Sequence, residues 1–413
     1  MYITSVNMKK DRSWLFILFI IAWTAIQSVP YLNSKLPGVI IAAVMLPTYF
    51  YLYNNQRNLF VGHLGVVLPF ALMLIIDFLF DYVTGVKVKT PQFIYELMQF
   101  LLFPLIVLYI KRNNFQYYSK VLIIALSICY LLTSITTYLG LDLFPAACRQ
   151  LANSQEKELD SAMVPLYKSL NIGGFDFIYS LVLISPLLVY TILRSKKKYY
   201  KLLAILVYIG LFLLVIKAQF TTAVLCYVLS SLCFLMKNQK SSRTFWFLLV
   251  IGGLFVIFRG IIGDILIDIS GSFESANISN RFEDIGHVIQ GEETTSSSAD
   301  IDSRQIKYGM AWDAFCSSPI WGTGKGVGGH SFILGYMAKY GIIGLGLVIY
   351  LFMRIYGFMV RPLRGSILYN CMFFIFFLQI IMAMLNPMVF YIVPLYIAPI
   401  YAIVYQSNIK NEL

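Results

Sequence analysis

Charged side chains are scarce in this sequence. Only 13% of its 413 residues are Asp, Glu, Lys or Arg, whereas 59% are hydrophobic. An average soluble domain carries about 25% charged residues. The composition therefore excludes an ordinary soluble protein and indicates a protein that is embedded in a membrane.

Clusters of histidine and cysteine are also lacking. The chain has three histidines and six cysteines, and no two cysteines have the C-x-x-C spacing. Zinc sites and thiol redox motifs need such closely spaced ligands. The sequence therefore predicts neither a zinc site nor a redox motif.

Most of the sequence consists of long apolar runs. A helix needs roughly 17 to 25 apolar residues to cross a hydrocarbon core of about 30 Å. Twelve runs of this kind cover residues 14–32, 36–53, 59–80, 93–110, 120–140, 173–193, 199–216, 219–236, 244–262, 331–353, 366–385 and 388–405. The predicted fold class is an all-α polytopic integral membrane protein with about 12 transmembrane helices, forming a single membrane domain over residues 1–413.

Basic residues predict the orientation of these spans. With both termini in the cytoplasm, the inner segments hold 19 basic residues and only two acidic ones, Asp11 and Glu412. Short cytoplasmic loops are enriched in Lys and Arg in this way. The formal net charge of +12 is thus explained by topology and by anionic lipid, and no nucleic-acid partner is predicted.

Two external loops are long enough to hold chemistry, over residues 141–172 and 263–330. Loops of this length are usually functional or disordered. In the main loop, 263–330, the segments "RFEDIGHVI" and "DSRQIKYGMAWDAF" are expected to form short amphipathic helices on the membrane surface. In the second segment, Ile306, Met310, Ala311 and Ala314 fall near one helical face.

The stretch "PIWGTGKGVGGHS" ends the main loop and contains a literal G-x-G-x-x-G. That pattern indicates a dinucleotide site only within a strand-turn-helix unit, which this sequence lacks. A P-loop is excluded as well, because Lys325 is followed by Gly326. Two interpretations stay open: the glycines expose backbone N–H groups to an anion, or they form a flexible turn back into the membrane.

His330 closes this glycine run, at the predicted N-terminal end of the next span. A continuous helix would place Gly341, eleven positions later, on the same face. Histidine can accept a proton near neutral pH, so His330 is a candidate base; a purely structural histidine is the alternative.

External basic residues are candidates for binding phosphate, since an arginine offers a planar fork that matches phosphate oxygens. Taken singly, each is more often an ion pair with a neighbouring carboxylate such as Glu283 or Asp302. The candidates are Arg149, Lys217, Arg259, Arg281, Arg304 and Lys325.

The segment "SRQIKYGMAWDAFCSSPIWGTGKGVGGHSFILGYMAKYGIIG" resembles the external-loop signature of the O-antigen polymerase and O-antigen ligase superfamily. The shared features are an arginine that begins an amphipathic helix, a Pro-hydrophobic-x-Gly-x-Gly turn and an H-x10-G motif. Here these are Arg304, residues 319–324, and His330 with Gly341. The resemblance implies a GT-C-like, metal-independent membrane glycosyltransferase acting on undecaprenyl-pyrophosphate-linked glycans.

The resemblance also implies roles for individual residues. His330 matches the catalytic histidine, and Arg304 matches an arginine that serves the pyrophosphate, with Arg281 as a second loop arginine. Two positions depart from the pattern: R-x3-L becomes Arg304-x3-Tyr308, and Lys217 stands where an arginine is common. Lysine keeps the charge but loses the bidentate fork.

The function implied is that of a Wzy-type polymerase, which joins lipid-linked oligosaccharide repeat units into O-antigen or capsular polysaccharide, as in lipopolysaccharide biosynthesis. The predicted location is the outer leaflet of a bacterial cytoplasmic (inner) membrane, with the active site on the periplasmic side. No cofactor is expected, and the expected partners are membrane lipid, the lipid-linked substrate, a chain-length regulator and a flippase. The alternatives are an O-antigen ligase that transfers glycan to a lipid A core, and a lipid-linked glycan flippase or transporter.

Overall fold

A computed structural model describes residues 116–153, 163–236, 257–272, 299–325, 331–360 and 366–386, with single positions in 68–83 and 279–290 and at 327 and 363. Every regular element in these ranges is a helix. We number the α-helices α1 Gln116–Leu143, α2 Ala147–Asn153, α3 Val164–Ser169, α4 Phe175–Arg194, α5 Lys198–Lys217, α6 Thr221–Ser230, α7 Arg259–Ser270, α8 Ala299–Ser317, α9 Phe332–Val360 and α10 Ile367–Leu385.

Five helices in the described ranges are long and apolar enough to cross a membrane. Their spanning segments are Ile123–Leu143, Phe175–Arg194, Lys198–Lys217, Phe332–Tyr350 and Ile367–Leu385. They coincide with five of the predicted spans, so the all-helical membrane fold is confirmed at this level. Residues 14–32, 36–53, 93–110 and 388–405 lie outside the described residues.

Two other predicted spans differ in their details. The segment 219–236 is divided between α6 and the 3-10 helix Ser231–Met236. The ninth predicted span, 244–262, is described only from residue 257; α7 begins there at Arg259 and continues past residue 262 to Ser270. Helix therefore covers the first eight positions that the sequence assigned to the external loop 263–330.

Helix α4 is the centre of the described bundle. It packs against α5, α6 and α10, and 72% of its spanning window is buried, compared with 22% for α5. Protein therefore covers most of the surface of α4. The remaining apolar surface of α5 is available to lipid.

Proline in the middle of α4 is accommodated by a neighbouring hydroxyl. Pro186 has no N–H, which frees the carbonyl of Val182 from its helical hydrogen bond. The Ser185 hydroxyl lies 2.7 Å from that carbonyl and 2.7 Å from Ser230 Oγ on α6. In an apolar medium a freed backbone group must find such a partner, and here the partner also links two helices.

The described part of the loop 141–172, which is predicted to be external, is folded over the ends of α1 and α4. Asn171 (φ 59°) ends α3 in a left-handed conformation, with Ile172 N donating to Tyr167 O at 3.0 Å. Thr136 on α1 donates to Asn171 O at 2.9 Å, and Gly173 N donates to Thr137 Oγ1 at 2.8 Å. These bonds fix the loop to α1.

Candidate functional site

Helix α8 carries the arginine of the segment that resembles the external-loop signature, and it packs against α9. Arg304 lies within α8. Of the residues predicted to fall near one helical face, Ala311 is 1% exposed, whereas Ile306 is 63% and Met310 54% exposed. In a membrane protein an exposed apolar side chain can face lipid, so apolar spacing does not identify the face that packs on protein.

Helix α9 is broken at Gly341. This residue has φ 64° and ψ −159°, which is not a helical conformation, so two helical segments, 332–340 and 342–360, meet there. A break frees carbonyls before it and N–H groups after it. Within a membrane these groups need partners from protein or water.

Residues 319–324, which we name the docking turn, donate hydrogen bonds into the break. Thr323 N donates to Ala338 O at 2.9 Å, and Gly324 N donates to Lys339 O at 3.0 Å. The hydroxyl of Thr323 also donates to Ala338 O, at 3.0 Å. Two of the carbonyls that the break frees, Ala338 O and Lys339 O, are thus paired by the docking turn.

The docking turn accepts hydrogen bonds from the other side of the break. Ile342 N donates to Pro319 O at 2.9 Å, and Ile343 N donates to Ile320 O at 3.4 Å. The Pro-hydrophobic-x-Gly-x-Gly turn and the glycine of H-x10-G therefore form one backbone-to-backbone contact. In the sequence they are two separate features.

Glycine is required on both sides of this contact. Gly322 has φ 76°, and a Cβ built there would come closer than 3.0 Å to Lys339 O. A Cβ built on Gly341 would come closer than 3.0 Å to Ile320 O. Positive φ and the close approach of two backbones both exclude larger side chains, so the spacing of these glycines has a structural cause.

The N-terminal end of α9 is fixed by capping and by α10. Ser331, which is 2% exposed, accepts a hydrogen bond from Leu334 N on its Oγ at 3.3 Å. Phe332 N donates to the carbonyl of Asn386, the residue after α10, at 2.9 Å. The chain is thus fixed at Gly324 and again at Ser331, on either side of the predicted catalytic residue.

His330 itself lies outside the described residues, as does Arg281. The expectation that His330 and Gly341 lie on one face assumed a continuous helix. That assumption is wrong, because α9 begins at Phe332 and is broken at Gly341. The prediction that His330 is catalytic is independent of this geometry and stays a prediction.

An aromatic stripe follows this position along α9. Phe332 and Tyr336 stack with ring centroids 4.0 Å apart, and Tyr336 and Tyr340 follow at 5.0 Å. Phe80 extends the stripe, 5.9 Å from Tyr340. The stripe therefore connects Phe80, at the end of the predicted span 59–80, to the segment of α9 that precedes the break.

Lys217 is a candidate cation with several contacts in the described part of the chain. It ends α5, and its Nζ donates to Tyr138 O at 3.0 Å, pairs with the Asp142 carboxylate and lies 3.9 Å from the centroid of the Tyr138 ring. Asp142 and Tyr138 were not among the predicted site residues. No local sequence signal joins residues 75 positions apart.

The remaining basic candidates occupy separate elements. Arg149 is partly buried on α2, which packs against α1 and α4, and it interacts with other residues. Arg259 is exposed at the first residue of α7, and Lys325 is exposed just after the docking turn. The structure therefore associates Lys325 with the α8–α9 region, and Arg149 and Lys217 with the end of α1.

Among the described residues, Cys148 is the one thiol outside the predicted spans whose pKa is shifted, and burial is the cause. Cys148 on α2 is completely buried, and its Sγ donates to Gly173 O at 3.0 Å. Burial disfavours the thiolate and raises the pKa of Cys148 to about 12. This residue is therefore a structural thiol.

Within the described ranges, no three His, Cys, Asp or Glu side chains are grouped as metal ligands. Comparisons of the chain with protein-family models, with curated proteins and with solved structures find no match.

Proposed function

We propose that this chain is a membrane glycosyltransferase, a Wzy-type polymerase that joins oligosaccharide repeat units carried on undecaprenyl pyrophosphate. It would act at the outer leaflet of a bacterial inner membrane, with about twelve spans, a GT-C-like architecture and cytoplasmic termini. A chain-length regulator and a flippase of the same route are its expected partners. The product would be an O-antigen or a capsular polysaccharide.

One observation supports this proposal above all others. The docking turn fills the break in α9 at Gly341, so two separate parts of the recognised signature have a single structural purpose. That contact and the Ser331 cap fix the chain on both sides of His330. A catalytic base needs a fixed position relative to its substrate, and such anchoring suits that need.

The proposed reaction is an inverting displacement. The acceptor hydroxyl oxygen attacks the anomeric carbon of the donor glycan, and the bond from that carbon to the pyrophosphate oxygen breaks. The electron pair leaves with the lipid pyrophosphate, and His330 accepts the hydroxyl proton. General-base catalysis of this kind contributes typically 10²- to 10⁴-fold.

Charge on the leaving group would be neutralised by basic side chains. Arg304 on α8 is the first candidate, with Arg281 and Arg149 in support. Cations placed where negative charge develops stabilise the transition state. Because the pyrophosphate leaves as a stable anion, the proposed reaction requires no general acid.

The broken helix α9 is also what a transporter or flippase would use to bind an ion. In such a protein the freed backbone groups coordinate the transported species. Here Ala338 O, Lys339 O, Ile342 N and Ile343 N are hydrogen-bonded to the docking turn. This pairing favours the enzyme over the transporter.

A deletion strain whose surface glycan is sized on a gel tests the function. Single-repeat products are expected for a polymerase. Long polymer held on undecaprenyl pyrophosphate would indicate a ligase instead, since the two enzymes share their chemistry and differ in the acceptor. Loss of outward-facing lipid-linked repeats would indicate a flippase.

Complementing that strain with the His330→Ala variant tests the mechanism. Chain extension should be lost while the variant keeps its normal level in the membrane. The matched control is His287→Ala, which removes another histidine of the predicted main loop and should retain extension. Full-length polymer from the His330→Ala strain would overturn the proposed base.

A further inference from the structure

An exposed ion pair stands at the end of α5, on the side of the bundle predicted to be external. The Lys217 ammonium is bound by the Asp142 carboxylate and by Tyr138 O, and it lies over the Tyr138 ring. The side chains of Lys217 and Asp142 are 24% and 59% exposed. Solvent therefore reaches both members of the pair.

The Asp142 contact is the replaceable part of this arrangement. Exposed ion pairs contribute little to stability, because water solvates both charges well. A lysine ammonium has three donors; two are used by Asp142 and Tyr138, and no other acceptor for Lys217 is found in the described part of the chain. Another anion could bind without removing any buried partner.

Tyr138 holds the ammonium independently of Asp142. Its carbonyl lies 3.0 Å from Nζ, and its ring centroid lies 3.9 Å from Nζ, well within the 6 Å range of a cation–π contact. The backbone beyond Lys217 is fixed too, since Ala218 is completely buried and Gln219 adopts φ 60°. The cation would therefore keep its position if the carboxylate left.

We propose that Lys217 binds the phosphate groups of an anionic lipid by exchange with Asp142, and that Asp142 thereby sets the affinity of this site. A phosphate or pyrophosphate oxygen takes the place of the carboxylate, while Tyr138 keeps the ammonium in position. The identity of the lipid as a prenyl pyrophosphate rests on the function proposed above. The exchange itself rests on the geometry of Lys217, Asp142 and Tyr138.

The exchange predicts opposite effects for the two partners. Removing the cation in Lys217→Ala should weaken binding about tenfold, the equivalent of one charge-assisted hydrogen bond. Removing the competitor in Asp142→Asn should tighten binding about threefold, because the ligand no longer displaces a carboxylate. A purely structural ion pair that binds no anion would leave the binding of the probe unchanged in both variants.

The test uses the full chain in lipid nanodiscs, with farnesyl pyrophosphate as the probe and thermophoresis as the measurement. Inorganic pyrophosphate forms a second arm, which separates recognition of a lipid from recognition of the free anion. Matched controls are Lys201→Ala, at the opposite end of α5, and Asp268→Asn, an exposed carboxylate on α7. Both controls should bind the probe like the unaltered chain.

Tighter farnesyl pyrophosphate binding by Asp142→Asn, together with weaker binding by Lys217→Ala, is the expected result. Unchanged or weaker binding by Asp142→Asn would overturn the exchange, provided that its melting temperature is unaltered. If Asp142→Asn does not fold, the affinity of the double variant Asp142→Ala/Lys217→Arg for farnesyl pyrophosphate is compared with that of Lys217→Arg alone. The exchange then requires tighter binding by the double variant.

Failure of this inference and failure of the proposed function give different results. In one outcome, His330→Ala retains chain extension while the Asp142 and Lys217 variants change the affinity for farnesyl pyrophosphate in opposite directions. That result would disprove the polymerase mechanism and support the anion site. If inorganic pyrophosphate binds as tightly as farnesyl pyrophosphate, the assignment to a lipid is overturned.

Discussion

Two turns in this protein position candidate residues by different means. The docking turn is joined to the break in α9 by backbone hydrogen bonds and needs glycine at Gly322 and Gly341. The turn after α5 positions Lys217 through contacts of its side chain with Asp142 and Tyr138. The first arrangement is sensitive to added volume, whereas the second is sensitive to charge and to salt.

The regions around these turns also differ in burial. Near the α5 turn, Cys148, Tyr167 and Ile172 are all buried in the folded loop. Near the docking turn, Cys316 and Trp321 are exposed. The four predictions that follow test this contrast.

The largest expected difference is in thiol reactivity. N-ethylmaleimide should modify Cys316 rapidly at pH 8 and should leave Cys148 unmodified in the folded protein. Only a thiolate reacts, and a pKa of about 12 rather than the ordinary 9.0 lowers the thiolate fraction of Cys148 about a thousandfold. Peptide-resolved mass spectrometry measures both rates.

Denatured protein is the control, since there both cysteines should react at similar rates. Because the folded pKa of Cys148 lies above the unfolded one, its contribution to stability is lost as the pH rises from about 9 to about 12. Equal labelling of Cys148 and Cys316 in the folded state would contradict the difference in burial.

Gly341→Ala should destabilise the fold by about 3 kcal/mol or more, through positive φ and the clash with Ile320 O. Gly346→Ala is the matched control on the same helix, because a Cβ there meets nothing within 4 Å. That control should change stability by less than about 1 kcal/mol. Denaturation in detergent micelles measures both, and similar losses would contradict the close contact at the break.

The effects of Gly322→Ala and Gly341→Ala on the free energy of unfolding should not be additive. Each substitution disrupts the same set of hydrogen bonds between the docking turn and α9. The loss in the double variant should therefore fall short of the sum of the single losses by about 1 kcal/mol or more. Additive losses would mean that the two glycines act in independent structures.

Hydropathy alone located the spanning helices closely. The predicted spans 173–193 and 199–216 correspond to α4, Phe175–Arg194, and α5, Lys198–Lys217. This agreement arises because the length of an apolar run is a local property of the chain. The length that a run needs depends on the thickness of the bilayer and not on which helices become neighbours.

The break in α9 could not be predicted in the same way. A glycine within an apolar run does not by itself predict a break in the helix. Gly346 lies in the same helix as Gly341, and the helix continues through it. The break at Gly341 is accompanied by hydrogen bonds from residues 319–324, about twenty positions away, to residues on both sides of it. The Asp142–Lys217 pair is likewise a long-range contact, which composition and spacing do not encode.

The smallest expected effect concerns that ion pair. Lys217→Ala should lower stability by at most about 1 kcal/mol, because its partner Asp142 is 59% exposed. The loss should shrink when salt is raised from about 0.01 M to about 1 M, since the Debye length falls from about 30 Å to about 3 Å. The loss caused by Gly341→Ala should stay constant over that range, because it arises from steric contact and backbone strain. Denaturation of both variants at the two salt concentrations makes the comparison, and a salt-independent loss for Lys217→Ala would show that its methylene stem and ring contact, rather than its charge, hold the α5 turn.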